Sequence, residues 1–202
     1  MADRDLLRTT LDLPVFTERL CLRAYRADDL ENVFRLRSNP EVVAMLYGDP
    51  MTREEAPEAL ARYLTPPVLE ADGDELKIAV ERREDGAYLG NLKLQLLSRE
   101  HLQGEIGYVF DPRHQGRGYA LEAARKALEL GFGHFGMHRI SAHCDVRNTG
   151  SWRLMEKLGM RREAHYREKE FFKGAWAEDF VYAILAREWA SPEDSPARVR
   201  PA

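Results

Sequence analysis

"RHQGRGYALEAARKALELGFGHFG" runs from Arg113 to Gly136 and carries two glycine clusters. Gly116 and Gly118 precede an Ala- and Leu-rich stretch; Gly131, Gly133 and Gly136 follow it. The second cluster matches G-x-G-x-x-G letter for letter and the first does not. Context reverses that ranking. Tyr119 to Phe132 reads as a helix, with Leu121, Ala124 and Leu128 on one face. A helix start presents unpaired N–H groups and partial positive charge, whereas a helix end presents carbonyls. The cluster from Gly131 to Gly136 therefore sits where anions are repelled. It also lacks the preceding strand that a dinucleotide fingerprint requires, so it reads as a helix stop and loop. Gly116 and Gly118 lie between the strand "EIGYVF" and the helix start. The amides from Gln115 to Ala120 form a candidate anion nest there, with Arg113 and Arg117 as added charge. No G-K-[ST] follows, and Leu121 stands where a third glycine would be needed. On spacing alone, a bare strand-to-helix turn explains these glycines equally well.

Outward from the loop, the chain alternates strand and helix. "RLCLRAY" places Leu20, Leu22 and Ala24 on one side of a strand. "ADDLENVFRLRSNP" reads as a helix capped by Asp28 and stopped by Pro40. A second helix is expected over Arg53 to Leu64. "ELKIAVERREDGAYLGNLKLQLL" gives two strands around "EDG". "RISAHCDV" puts Ile140, Ala142, Cys144 and Val146 on one strand face. "NTGSWRLMEKLGM" is a short helix with Asn148 at its start and Gly159 in a left-handed cap. Two last strands, around Arg161–Glu170 and Glu178–Ala186, flank the loop "FFKGAW". The order β-α-α-β-β-β-α-β-α-β-β suggests one mixed α/β sheet.

Composition narrows the function. The chain has 202 residues, 32 % of them charged, and a net charge of −4. That balance argues against a dedicated nucleic-acid binder. Two cysteines, Cys21 and Cys144, give no disulfide framework, and a reducing cytoplasm fits. The charged start "MADRDLLRTTLDLP" has no apolar h-region, and no apolar run is long enough to span a bilayer. Residues 1–15 and 191–202 read as loosely ordered, leaving a single domain over 16–190.

With these segments in place, the chain resembles the GCN5-related N-acetyltransferases. "RHQGRGYA" is similar to the family's R/Q-x-x-G-x-G/A pyrophosphate loop. "TERLCLRAYRADD" resembles its opening strand and turn, "GEIGYVFDP" the strand before the loop, and "GYALEA" the first helical turn. "NTGSWRLMEKLGM" resembles its N-x-x-S…LGF segment, and "REWA" a common ending. The resemblance spans about Thr17 to Ala190 and is nearest to the ribosomal-protein N-terminal acetyltransferase branch. It implies an α/β fold with a mixed, mostly antiparallel central sheet and helices on both faces, acetyl-coenzyme A as donor, and no metal. Gln115, Gly116, Arg117, Gly118, Tyr119 and Ala120 would wrap the pyrophosphate, with Arg113 and Arg117 supplying charge. Tyr108, Val109 and Phe110 match the strand that splays from its neighbour to admit pantetheine. Asn148 matches the asparagine that holds the pantetheine arm, and Ser151 the serine near the sulfur. Both also suit a helix start, where they would cap free amides.

The implied reaction is direct attack of a primary amine on the thioester in a ternary complex. The amine arrives protonated, so a base must take a proton. Glu105 is the candidate: strand alternation puts it on the face of Gly107 and Val109, away from Ile106, Tyr108 and Phe110. The position carries a glutamate in many relatives; an exposed strand carboxylate is the other reading. A main-chain N–H near Val109 would hold the developing oxyanion. Met155 replaces the tyrosine that serves many relatives as general acid. That leaves Ser151, water or no dedicated group. Glu122, in the first turn of the long helix, reads as a dipole partner.

Other signals are discounted. His134, His138 and His143 fit no zinc spacing. Cys144 and His143 point to opposite faces of their strand. "RREAHYREKEFFKGAW" balances its bases with glutamates, so it reads as a solvated strand and loop. By family analogy, Phe171, Phe172 and Trp176 line an acceptor pocket, with specificity in loops around Met45–Met51 and Phe171–Trp176. The expected acceptor is a protein or peptide N-terminus. The alternatives are a polyamine, amino acid or aminoglycoside, or a non-catalytic acyl-CoA-binding module. A monomer or homodimer is expected, with neither nucleic acid nor membrane as partner.

Overall fold

The computed structural model describes residues 8–189. Its strands are β1 (Val15–Phe16), β2 (Leu20–Arg23), β3 (Glu75–Arg82), β4 (Tyr88–Ser98), β5 (Gln103–Phe110), β6 (Arg139–Asp145), β7 (Arg161–Phe172) and β8 (Ala175–Leu185). They form one sheet in the order β1-β2-β3-β4-β5-β6-β8-β7. Every adjacent pair is antiparallel except β5 with β6. The helices are α1 (Leu30–Ser38), α2 (Pro40–Val43), α3 (Ala56–Tyr63), α4 (Tyr119–Glu129) and α5 (Thr149–Lys157).

Alternation along the strands builds two cores. Leu76, Ile78 and Val80 on β3, with Leu92, Leu94 and Leu96 on β4, pack with Ala123, Ala124, Ala127 and Leu128 of α4 and with Met155 of α5. On the opposite face, Ala79 and Tyr88 meet Val33 and Leu36 of α1 and Ala59 and Leu60 of α3. Helices thus cover both faces, as the mixed, mostly antiparallel α/β reading requires.

Several local expectations are corrected. Pro40 has a second role: α1 ends ahead of it at Ser38, as expected, and Pro40 also opens α2 at its first position, where a missing N–H costs nothing. Asp29, not Asp28, organises the start of α1, and it is buried. "FFKGAW" is not a loop: Phe171 pairs with Trp176 and Phe172 with Ala175, leaving Lys173 and Gly174 as the turn. Leu11 is buried and its amide bonds to the Pro67 carbonyl at 3.0 Å, so the chain is already docked ahead of residue 16. The rest of the terminal expectation, residues 1–7 and 191–202, lies outside the described residues.

Asp29 sits in an ion-paired cluster under α1. Arg23 donates to its two oxygens at 2.6 and 2.8 Å and to Glu81 at 2.5 Å. Burial by itself would raise the Asp29 pKa. The Arg23 bonds, the Arg26 amide and Asn32 outweigh it and hold this carboxyl below its ordinary 3.8. A carboxyl depressed on folding contributes stability above its unfolded pKa and loses it as pH falls through the folded value. Urea titrations from pH 6 down to pH 2 should therefore show stability falling below about pH 4, and Asp29→Asn should flatten part of that fall. An identical slope in the variant would refute this role.

One topological feature positions the site. β5 and β6 pair only at Gln103–Arg139, Gly104–Ile140 and Glu105–Ser141. Beyond Glu105, β5 stays on β4 to Phe110, while β6 stays on β8 to Asp145. The two strands therefore part, and a wedge opens in the middle of the sheet.

Candidate active site

Two cavities meet at this wedge. The larger, of about 750 Å³, is lined by Tyr108, Val109 and Phe110, by the loop from His114 to Gly118 (Arg117 apart), by the start of α4 and by the start of α5. The smaller, of about 280 Å³, is lined by Glu105 to Val109, His143 to Asp145 and Tyr25, Met45, Leu46, Tyr47 and Tyr63, among others. Tyr108, Val109, Asn148, Ser151, Met45 and Leu46 border both. The shared residues lie where the strands separate.

The free edge of β5 has a fixed phase. The Asp111 amide bonds to the Leu89 carbonyl at 2.9 Å, and the register pairs Val109 with Asn91. Antiparallel alternation then turns the main-chain groups of Val109 and Gly107 towards β4, and those of Tyr108 and Phe110 towards the wedge. The amide expected near Val109 for an oxyanion is thus not Val109's own; the amides facing the wedge are its neighbours'.

The loop after β5 has the conformation that its glycines permit. Gly116 and Gly118 have φ of +73° and +80°, and Gly118 caps α4 in the left-handed region. Thr17 and Arg19 clamp the loop from below. Arg19 donates to Glu122 at 2.7 Å and to the Arg117 carbonyl at 3.0 Å, and Thr17 donates to Glu122 at 2.5 Å. Glu122 thereby holds the loop to the connection between β1 and β2, which matches its reading as structural. The other cluster behaves differently: Gly131 is buried in a π turn over Leu130–His134, where a Cβ would sit 2.4 Å from Ile140 Cδ1.

Of the charges expected at the loop, Arg113 is taken by Asp111 at 2.6 Å, and neither Arg113 nor Arg117 lines the groove. Arg147, Arg153 and Lys157 line it instead, Arg147 being paired with Asp145 at 2.6 Å as Arg113 is with Asp111. Asn148 caps α5: its Oδ1 accepts the Ser151 amide at 3.1 Å, which leaves its Nδ2 to the groove. The Tyr108 hydroxyl lies 3.1 Å from Ser151 Oγ, and burial pushes its pKa well up. Met155 is buried beside them. Cys144 is also buried, its thiol pushed up to about 11 by desolvation, so it stays protonated near neutral pH.

Glu105 faces the smaller cavity. Its Oε1 accepts from Lys93 at 2.7 Å and lies 3.7 Å from His143 Nε2. His143 Nδ1 is 3.6 Å from Asp179, a fully buried carboxylate that also accepts from Lys169 at 2.7 Å and Tyr47 at 3.0 Å. Phe172 packs on the Tyr47 ring at 5.1 Å and so supports the cavity wall from behind. Phe171 and Trp176 pack on each other at the surface, 65 % and 58 % exposed, and do not line the cavity. Sequence reasoning missed His143, Asp179 and Tyr47 as a group, because strand register and a remote loop bring them together.

A family model of the acetyltransferase (GNAT) domain matches residues 19–161. The chain belongs to the GNAT acetyltransferases. An uncharacterised N-acetyltransferase of Bacillus subtilis, YnaD, is 33 % identical over 175 residues, covering 87 % of this chain and 98 % of that protein. A spermidine N(1)-acetyltransferase of Vibrio cholerae is 26 % identical, over 79 % of this chain and 89 % of its own. Among solved structures, a GNAT acetyltransferase from Bacillus anthracis superposes with a TM-score of 0.77 at 30 % identity, over 87 % of this chain and 99 % of that one. Spermidine N-acetyltransferase from Vibrio cholerae, in complex with CoA and spermine, gives 0.74 at 25 %, over 86 % and 99 %. The protein is therefore an N-acetyltransferase, and its family uses acetyl-CoA. Among the described residues, no helix is long and apolar enough to cross a membrane.

The larger groove fits that donor by its chemistry. A GNAT donor brings a diphosphate, a peptide-like arm and a thioester. The groove offers a helix start with left-handed glycines, a strand edge with free amides, and the cations Arg147, Arg153 and Lys157.

Proposed function

We infer that this GNAT enzyme acetylates the α-amine of a peptide or protein N-terminus. The observation that carries this reading is the junction of the two cavities at the wedge between β5 and β6, with Glu105 on the side away from the cationic groove. When bound, acetyl-CoA supplies a thioester carbonyl as the acyl donor. Gln115, Gly116, Gly118, Tyr119 and Ala120 hold the diphosphate on the helix start, with the Arg117 amide in the same run. The free edge at Tyr108 and Phe110 and the Asn148 amide hold the arm. Tyr108 fixes the Ser151 hydroxyl at the shared border of the cavities, where it would be available to the thioester end of the donor. Glu105 receives the proton that the attacking amine must lose. A thiolate is only modestly basic, so Met155 in place of a phenol is tolerable.

The smaller cavity favours a singly charged acceptor. Its lining sets Arg37, Lys77 and Lys93 against Glu105 and Asp145. Lys93 already pairs with Glu105, Lys77 with Glu75, and Asp145 with Arg147, so the two further ammonium groups of a spermidine-type acceptor would find no unpaired carboxylate among these groups. A peptide brings one ammonium and a neutral backbone. At about 280 Å³ the cavity suits an amine and its first residue, with the rest of the chain leaving past Met45 and Tyr47, which are 37 % and 41 % exposed. The branch resemblance drawn from the sequence motifs favours a peptide, whereas the relatives with a named acceptor are spermidine acetyltransferases, so the acceptor panel must contain both.

Thiol release with acetyl-CoA and an amine panel tests the reading. Peptides with a free N-terminus should turn over with higher kcat/KM than spermidine, spermine, aminoglycosides or free amino acids. The same peptides with a blocked N-terminus and a free lysine should not. A clear preference for spermidine would overturn the peptide assignment, and binding without turnover of any amine would favour a non-catalytic module.

A further inference from the structure

The acceptor cavity contains an imidazole that the resemblance leaves without a role. His143 projects from β6 between two carboxylates on its two neighbouring strands. Its Nε2 is 3.7 Å from Glu105 Oε1 on β5, and its Nδ1 is 3.6 Å from Asp179 Oδ2 on β8. Asp179 is fully buried, and Lys169 and Tyr47 fix its two oxygens. The His143 side chain is 40 % exposed, whereas that of Glu105 is 16 % exposed. Glu105 thus sits at the inner end of the cavity and His143 nearer to water.

A proton accepted by Glu105 must leave before the next turnover. We propose that His143, oriented by the buried Asp179, relays that proton from Glu105 to solvent. This rests on the assignment of Glu105 as the acceptor of the amine's proton. The accounting closes within the reaction: an ammonium gives one proton to Glu105, which passes it to His143 Nε2, and the imidazolium releases a proton to water. The amine lone pair then forms the N–C bond as the C–S bond breaks, and the remaining surplus N–H proton goes to the departing sulfur. Both His143 contacts are slightly longer than hydrogen bonds, and catalytic contacts of this kind tighten when substrate is bound. A neutral imidazole can accept on one nitrogen while the other is held by a carboxylate, which fixes its tautomer. Lys93, which donates to the same Glu105 oxygen, can supply a charge partner but has no lone pair to receive a proton while it is an ammonium.

His143→Ala and His143→Gln, assayed on the full chain with the best acceptor of the panel, test this. Both should lower kcat about tenfold, less than loss of a direct proton-transfer group. KM for acetyl-CoA and the melting temperature should stay near wild type. Added imidazole should restore most of the lost kcat in His143→Ala and none in Glu105→Gln. Wild-type kcat in both His143 variants would overturn the relay. So would a loss that imidazole leaves untouched, since a merely structural defect behaves that way. A wild-type protein that acetylates no amine, or one indifferent to Glu105→Gln, would instead remove the assignment on which the relay stands.

Discussion

Replacing Glu105 by glutamine lowers kcat on the order of 10²-fold or more and leaves acetyl-CoA affinity nearly unchanged. The two parts of this expected result come from separate observations. The carboxylate faces the smaller cavity and does not line the groove that carries the loop and helix start. Donor binding should therefore not register its loss. Glutamine has nearly the same shape and keeps an oxygen for Lys93, whose ammonium also reaches Gln95 at 3.0 Å. No buried cation is stranded, so the fold should tolerate the change. What glutamine cannot do is accept a proton at physiological pH. The measurements are kcat at saturating acceptor and titration calorimetry with acetyl-CoA. Unchanged turnover at neutral pH would remove Glu105 from the mechanism, and a matching loss of donor affinity would show that the side chain serves binding instead.

Features legible in the sequence were local. A helix start and a helix end differ in electrostatics whatever surrounds them, so the order of strand, glycines and helix separated Gly118 from Gly133 without coordinates. Alternation on one strand likewise placed Glu105 opposite Ile106. Features set by turn geometry or by distant partners are not legible. Arg113 looks like a phosphate ligand in the sequence, yet Asp111 two residues earlier holds its guanidinium, and which of two nearby charges a guanidinium meets is a matter of turn geometry. Pro40 follows the end of one helix and starts the next, and the second role depends on Asn39, which caps α2 through the Glu41 amide. The His143–Asp179 contact needs the register of β6 on β8, and the wedge needs β5 and β6 to follow different neighbours. Both are long-range pairings with no signature inside either strand.

The two glycine clusters offer the second large effect. Gly118→Val should weaken acetyl-CoA binding by about 10- to 100-fold, and Gly133→Ala should leave it near wild type. Space is not the obstacle at Gly118: a Cβ would meet only Arg19 Nη2, at an ordinary 3.4 Å. Conformation is. Gly118 holds φ at +80° as the cap of α4, a region that a β-branched side chain resists. Strain of this kind costs roughly 1–3 kcal/mol, and each 1.4 kcal/mol is about tenfold in affinity. The loop cannot relax freely, because Arg19 holds the Arg117 carbonyl and the Glu122 amide bonds to the Gly118 carbonyl at 3.0 Å. A shift in φ at Gly118 therefore re-aims the amides on which the diphosphate would rest. Gly133 is the control because it belongs to the cluster with the better motif score. It has no positive φ, and a Cβ there would touch nothing within 4 Å. Calorimetry on both variants compares helix start with helix end in one experiment. Wild-type affinity in Gly118→Val, or a comparable loss in Gly133→Ala, would place the donor's diphosphate away from the start of α4, and the charge argument for the groove would fail with it.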